Sequence, residues 1–163
     1  MDLPFRVSTL IFIQNPQDEF LLLKRKKSPN KGTWSPIGGK LEMSKGESPF
    51  ECAIRESQEE AGLELTNKDL HLFAMVSERG YEGTGHWLLF LFKSLKKIEH
   101  IPQDFHEGDF SFFSREAVDT LSLPETDREG LWPLYDQYHN RFVALKADCH
   151  PDKNLQIILE ESF

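Results

Sequence analysis

The sequence predicts an α/β sandwich built on a mixed β-sheet. Three observations predict it: strand-like segments flank one strongly signalled helix, the later part of the chain turns helical, and there is no internal repeat. A length of 163 residues suits one domain, and no composition shift or linker marks a boundary, so residues 1–163 are expected to fold as a single domain.

The elements follow in order. Phe5 to Ile13 is rich in β-branched and aromatic residues and predicts a strand. Asn15-Pro16-Gln17-Asp18 is a turn, and Glu19 to Lys26 is a second strand, so the two are expected to pair as a hairpin. Thr33 to Ile37 is short and extended, with Pro36 limiting its pairing. Gly38 to Glu47 is a glycine-rich loop. Ser48-Pro49 then places a cap and a first-turn proline at the start of a helix that runs to about Ala61, where Gly62 stops it. Leu70 to Glu78 and His86 to Lys93 predict strands, separated by an Arg79–Gly85 loop too glycine-rich for regular structure. Asp109 to Phe113 is a short strand, and Ser114 opens a short helix. Thr126 to Asn140 is the last helix, which Pro133 should kink or restart. Phe142 to Lys146 and Leu155 to Leu159 are expected to be extended.

A formal charge of -8 argues against a nucleic-acid polymer as ligand, because gripping a phosphate backbone needs clustered Lys and Arg. It leaves small anions open, since a metal and a few local cations can hold those. Cys52 and Cys149 lie far apart and form no CxxC pair, which argues against a disulfide scaffold or a cysteine-rich zinc site. No segment approaches the ~18 apolar residues that span a bilayer. The expectation is a soluble, cytoplasmic protein with no membrane partner.

The informative segment is Gly38 to Leu63. On a helical wheel for Pro49 to Ala61, Phe50, Ala53, Ile54, Ser57 and Ala61 share one face. Glu56, Glu59 and Glu60 share another at spacing i, i+3, i+4. Three such carboxylates repel one another, and they sit toward the helix C-terminus, where the macrodipole disfavours anions. A hard divalent cation compensates, and Mg²⁺ or Mn²⁺ suits carboxylate oxygens better than zinc does. By itself an ExxEE run is most often a solvated face. The whole segment changes those odds. It resembles the Nudix box, G-x5-E-x7-R-E-U-x-E-E-x-G-U with U a bulky apolar residue: Glu47, seven residues, then Arg55-Glu56-Ser57-Gln58-Glu59-Glu60-Ala61-Gly62-Leu63. Chance agreement at its specified positions is about one in ten million on residue usage. There are two departures. Seven residues rather than five separate Gly39 from Glu47, so Ser44-Lys45 reads as an insertion, and Ser57 stands at an apolar position, where it is expected to bond back to the preceding turn.

The resemblance implies a Nudix-type α/β/α sandwich and an enzyme that hydrolyses a nucleoside diphosphate linked to a group X. It implies that Glu56, Glu59 and Glu60, with the backbone carbonyl of Gly39 or Gly38, hold Mg²⁺ (or Mn²⁺). Arg55 is expected to orient Glu47. Glu56 is the first choice of general base, with Glu107 as the distal alternative. Gly32-Thr33-Trp34 and Leu123-Pro124-Glu125-Thr126-Asp127 look somewhat like the branch that sanitises oxidised purine nucleotides, which points to a nucleoside triphosphate pyrophosphohydrolase. An ADP-ribose or dinucleoside polyphosphate hydrolase and a non-catalytic nucleotide sensor are the rivals. Trp34, Arg79 and Asp127 are the substrate-binding candidates: Trp34 to stack a base or else sit in the core, Arg79 on a loop able to close, and Asp127 to read a base edge. Thr126 and Glu129 offer Asp127 a blander place in the first turn of a capping box. The partner expected is a small-molecule nucleotide, with a homodimer left open.

Overall fold

A computed structural model of the protein describes residues 2–28, 30–103 and 108–163. Nine strands, β1 Phe5–Phe12, β2 Phe20–Arg25, β3 Trp34–Ser35, β4 Ile37–Lys40, β5 Leu70–Tyr81, β6 Gly85–Ser94, β7 Gly108–Phe113, β8 Val143–Asp148 and β9 Gln156–Ser162, form two sheets among the described residues. The larger has the order β4-β1-β6-β5-β8-β9. It is mixed, because β1 runs parallel to β6 and β5 parallel to β8. The smaller is antiparallel, in the order β3-β2-β7. The helices are α1 Pro49–Ala61, α2 Arg115–Val118 and α3 Trp132–Tyr138.

Continuous apolar runs in β1 and β2 explain the layers, since a strand buried on both faces does not alternate. Ile11 and Ile13 pack with Ala53 and Ala61 of α1, whereas Phe12 between them stacks on Tyr135 of α3 at 4.7 Å and meets Trp132 edge-on at 5.1 Å. β2 repeats the device: Leu21 and Leu23 join the α1 side, Phe20 and Leu22 the α3 side. The result is the α/β/α sandwich.

The expected β1–β2 hairpin does not form. Asn15 does make the turn, its Oδ1 accepting from the Gln17 and Glu19 amides at 3.1 and 2.9 Å. Pairing then stops at a Gln14–Phe20 bridge. Both edges of β1 are already taken by β4 and β6, so β2 departs into the second sheet. The Arg79–Gly85 segment also differs from expectation: β5 continues to Tyr81 and β6 begins at Gly85, leaving a turn whose Glu82 and Gly83 adopt φ of 52° and 70°. The last helix restarts at Pro133, as expected: the widened π-helical turn Asp127–Leu131 gives way to α3 at Trp132, with Pro133 in the first α-helical turn.

α1 follows its sequence signals closely. Ser48 Oγ accepts from the Glu51 amide at 3.1 Å, Pro49 opens the helix, and Gly62 closes it at φ 63° with its N–H on the last carbonyls. Ser44-Lys45 lies in a 3₁₀ turn, Met43–Lys45, ended by Gly46 at φ 63°, so the insertion is absorbed before the helix starts. Ser57 is fully buried, and its Oγ has no hydrogen-bond partner among the described residues; the bond to the preceding turn is not made. An unsatisfied buried hydroxyl costs about 1–3 kcal/mol. Ser57→Ala is therefore expected to raise the melting temperature by about 2–4 °C for each kcal/mol recovered. A fall in thermal melts of that variant would show the hydroxyl to be satisfied.

Candidate active site

Arg55 is the centre of the α1 polar face. Its Nε and Nη2 donate to the two carboxylate oxygens of Glu47 at 2.7 and 2.9 Å. Nη1 donates to Glu56 at 3.0 Å and to Glu59 at 3.2 Å, and Nη2 also reaches the Lys40 carbonyl at 3.2 Å. Glu47 accepts the Glu42 amide as well, at 3.0 Å. The Arg55 fork holds the Glu47 carboxyl far below the usual carboxylate range, at about 2, so it stays ionised and fixed.

Glu56 is only 9% exposed. Burial pushes its pKa up, while its hydrogen bonds to Glu60 and Arg55 pull the other way. Two carboxyl groups within hydrogen-bond reach share a proton or receive a cation. Gly39 makes room for them, because a Cβ there would land on the Glu56 carboxylate. A Cβ on Gly38 would strike the Thr9 carbonyl of β1. The Gly39 carbonyl accepts from Ser8 Oγ at 2.8 Å and lies 3.5 Å from Cys52 Sγ, so what Gly39 gives the cluster here is space. Burial pushes the Cys52 thiol up to about 11, so it stays protonated. The donor set of Glu56, Glu59 and Glu60 is hard, all-oxygen and anionic, and fits Mg²⁺ or Mn²⁺. Among the described residues no three such groups already converge on one point. Glu59, whose side chain is 58% exposed, is the one free to turn.

A cavity of about 590 Å³ opens beside this cluster. Gly39, Lys40 and Glu60 line one end. Glu78, Tyr81 and Asp127 line another part, with Leu131, Leu145, Leu155 and Ile157 forming an apolar wall. Asp127 does not join a capping box: Thr126 is already helical at φ -62° and ψ -31° and makes no side-chain cap bond. The Asp127 and Arg128 amides instead close on the Pro124 carbonyl, each at 3.0 Å. Asp127 is partly buried and lines the cavity.

The other sequence candidates lie elsewhere. Trp34 does not line the cavity; its ring packs edge-on against Phe113 at 4.8 Å, the fate of an aromatic beside an aromatic-rich strand. Arg79 does not line it either and points to Asp148 at 3.9 Å. Glu107 lies outside the described residues.

Sequence reasoning missed Glu78. On β5 the residues Ala74, Val76 and Glu78 alternate onto one face, opposite Val143, Leu145 and Ala147 of β8. A carboxylate in register with buried apolar residues was the available signal. Burial raises both Glu78 and Asp127 to about 7. Cys149 Sγ lies 3.8 Å from Glu78, and burial pushes that thiol up to about 12.

Strand order, α1 and its carboxylate face together define a Nudix-fold hydrolase. A family model described as the NUDIX domain matches residues 4–138, and the chain belongs to that family, whose members hydrolyse nucleoside diphosphates linked to another group and generally use divalent metal ions. The uncharacterized Nudix hydrolase YvcI of Bacillus subtilis (strain 168) is 36% identical over 111 residues, 68% of this chain and 67% of that protein. A MutT protein from Bacillus halodurans superimposes with a TM-score of 0.74 at 26% identity, covering 95% of this chain and 97% of that one. A MutT protein from Methanosarcina mazei Go1 gives 0.69 at 25% identity, covering 84% and 96%. No helix among the described residues is long and apolar enough to cross a membrane.

Two acids with raised pKa values make stability pH-dependent. Their protonated forms are favoured by the fold, so the stabilisation is full below about pH 4 and is lost as pH rises through about 7. Asp127→Asn and Glu78→Gln should each flatten the decline in melting temperature between pH 5 and 8. A decline unchanged in both variants would show that these carboxyls ionise normally.

Proposed function

We propose that the protein is a Mg²⁺- or Mn²⁺-dependent pyrophosphohydrolase acting on a nucleoside triphosphate. The observation that carries this reading is the cavity that Glu60 of α1 lines together with the acids Glu78 and Asp127. Its volume of about 590 Å³ suits a nucleotide-sized ligand. The likeness to MutT proteins supports the hydrolase family and the fold on which this reading rests.

In this reading Glu56, Glu59 and Glu60 hold the divalent ion, with Glu59 turning in from the surface. When bound, the ion neutralises pyrophosphate charge and lowers the pKa of water. Arg55, anchored by Glu47, fixes the direction of Glu56 and is a positioning residue. Glu56 accepts the proton of the attacking water, with Glu107 as the distal alternative. Lys40, whose ammonium lies 5.8 Å over the Trp87 ring, supplies positive charge to the cavity wall. Asp127 contacts the substrate at the far end, whereas Trp34 and Arg79 keep to packing and surface roles.

Glu59→Gln and Glu60→Gln should each lower kcat by at least ~100-fold, the scale of lost electrostatic stabilisation, with melting curves close to the parent's. Near-normal turnover in both variants would remove the metal assignment. The substrate is tested with a panel of nucleoside triphosphates, ADP-ribose and dinucleoside polyphosphates in Mg²⁺, identifying products by mass. Release of pyrophosphate and a nucleoside monophosphate from a triphosphate supports the reading. Preference for ADP-ribose or a dinucleoside polyphosphate replaces it, and binding without any turnover marks a sensor. A second variant tests the geometry of the loop. Gly39→Ala should displace the Glu56 carboxylate and cut activity strongly, while Gly38→Ala, which strikes backbone, should cost stability instead.

A further inference from the structure

We propose that β9 is an interface with a second copy of this chain, paired antiparallel across a two-fold axis at Ile158, so that the six-stranded sheet runs on into its twin and the cavity wall supplied by β9 is shared between two copies. The interface does not depend on the reaction proposed above.

β9 lies at the end of its sheet and, among the described residues, pairs with β8 alone. Its outer row of amides and carbonyls is a template for another strand. All seven of its residues are exposed, so neither of its faces is closed. Three in succession are large and apolar: Ile157, Ile158 and Leu159 are 44%, 52% and 53% exposed. Edge strands are often blunted by lysine, proline or shortness, and Gln156–Ser162 has none of these. Its one irregularity, opposite Ala144 and Leu145, falls beyond Leu159 and leaves the apolar run regular.

The charge pattern of the strand says which occupant fits. Lys153 precedes it, and Glu160 and Glu161 lie near its end. An in-register parallel twin would set each acid opposite itself, whereas an antiparallel twin carries the acids of each copy toward the Lys153 end of the other. A two-fold normal to the sheet keeps corresponding faces together, so the axis must fall on a residue and not between two. Centred on Ile157, the pair would set Gln156 against Ile158. Centred on Leu159, it would set Glu160 against Ile158 and Glu161 against Ile157. Centred on Ile158, that residue meets its twin, Ile157 meets Leu159 twice, and the Gln156 amide meets the Glu160 carboxylate. Apolar side chains then face apolar ones, and no like charges stand opposite each other. Ile157 and Leu159 line the cavity on the face that carries Leu145, so the second copy continues that wall. A Cβ on Gly130 would sit 3.1 Å from Ile157 Cδ1, which ties the interface to the turn bearing Asp127.

The test is the mass of the protein in solution across a dilution series. Sedimentation equilibrium should show a reversible passage from 18.9 kDa to twice that mass. Ile158 does not line the cavity. Ile158→Lys sets two ammonium groups against each other at the axis and should weaken the dimer at least ~100-fold, with the circular dichroism of the parent. Leu95→Lys, at a comparably exposed apolar residue away from β9, should leave the dimer intact. Cysteines read the register. Opposite residues of an antiparallel pair stand about 4.5–5.5 Å apart between Cα atoms, within disulfide reach. Ile158→Cys should therefore cross-link to its own copy under a mild oxidant, and Ile157→Cys should do so when mixed with Leu159→Cys, with peptide mapping locating each bond. A protein that stays at 18.9 kDa throughout overturns the proposal and leaves β9 to a different occupant. A dimer that Ile158→Lys leaves unchanged also overturns it, as does a dimer in which the Ile158→Cys bond does not form.

Discussion

Four carboxylates crowd the polar side of α1 and its preceding loop, and the Arg55 guanidinium lets them coexist. Its fork meets Glu47 at 2.7 and 2.9 Å while its remaining nitrogen bridges Glu56 and Glu59. Without it, like charges at helical spacing would push the last turns of α1 apart. Lysine could not replace it, because a point charge cannot span a bidentate partner and two further acceptors in one plane. The Gly38–Gly39 approach depends on the same arrangement. The glycine pair brings β4 against both β1 and the Glu56 carboxylate, and the Lys40 carbonyl accepts from Arg55 at 3.2 Å. Helix, loop and strand are thus tied through one side chain.

The parts legible in the sequence are those whose signals are local. Ser48, Pro49 and Gly62 fix α1, and the spacing of Glu56, Glu59 and Glu60 puts them on one face whatever surrounds the helix. The hairpin failed because strand pairing is a competition. β1 and β2 each read as strands, but nothing within them says that β4 and β6 occupy both edges of β1. Asp127 was ambiguous for a related reason. T-x-x-E fits a capping box, and the residues show no sign that Thr126 is already helical or that the following turn widens. Trp34 carried no signal separating a stacking platform from a packing partner, and Phe113 decides it. Glu78 could have been found: its register with Ala74 and Val76 makes it a charge on an apolar face.

The cavity takes its carboxylates from two sources, Glu60 of α1 on the one hand and Glu78 of β5 with Asp127 of the π-helical turn on the other, and among the described residues no cation shifts Glu78 or Asp127. The α1 carboxylates cluster around the Arg55 guanidinium, which holds Glu47 ionised. Burial raises Glu78 and Asp127 to about 7, so near neutral pH each stands between its protonated and ionised forms. Identical side-chain chemistry is thereby given different protonation behaviour by its neighbours.

That division draws on chain beyond the family match, which ends at residue 138. β8 and β9 follow it, and Leu145, Ala147, Leu155 and Ile157 from this segment line the cavity. Ile157 lies close enough to Gly130 that a Cβ there would sit 3.1 Å from its Cδ1, so β9 presses directly on the turn that carries Asp127. A glycine at that contact allows the widened turn and the strand to share the space. The chemistry of α1 is fixed by a local motif, whereas the far wall is assembled late in the chain from residues the motif does not constrain. Divergence of ligand choice within such a family is physically cheapest there, since altering β8–β9 reshapes the cavity without disturbing Arg55 or the carboxylates it holds.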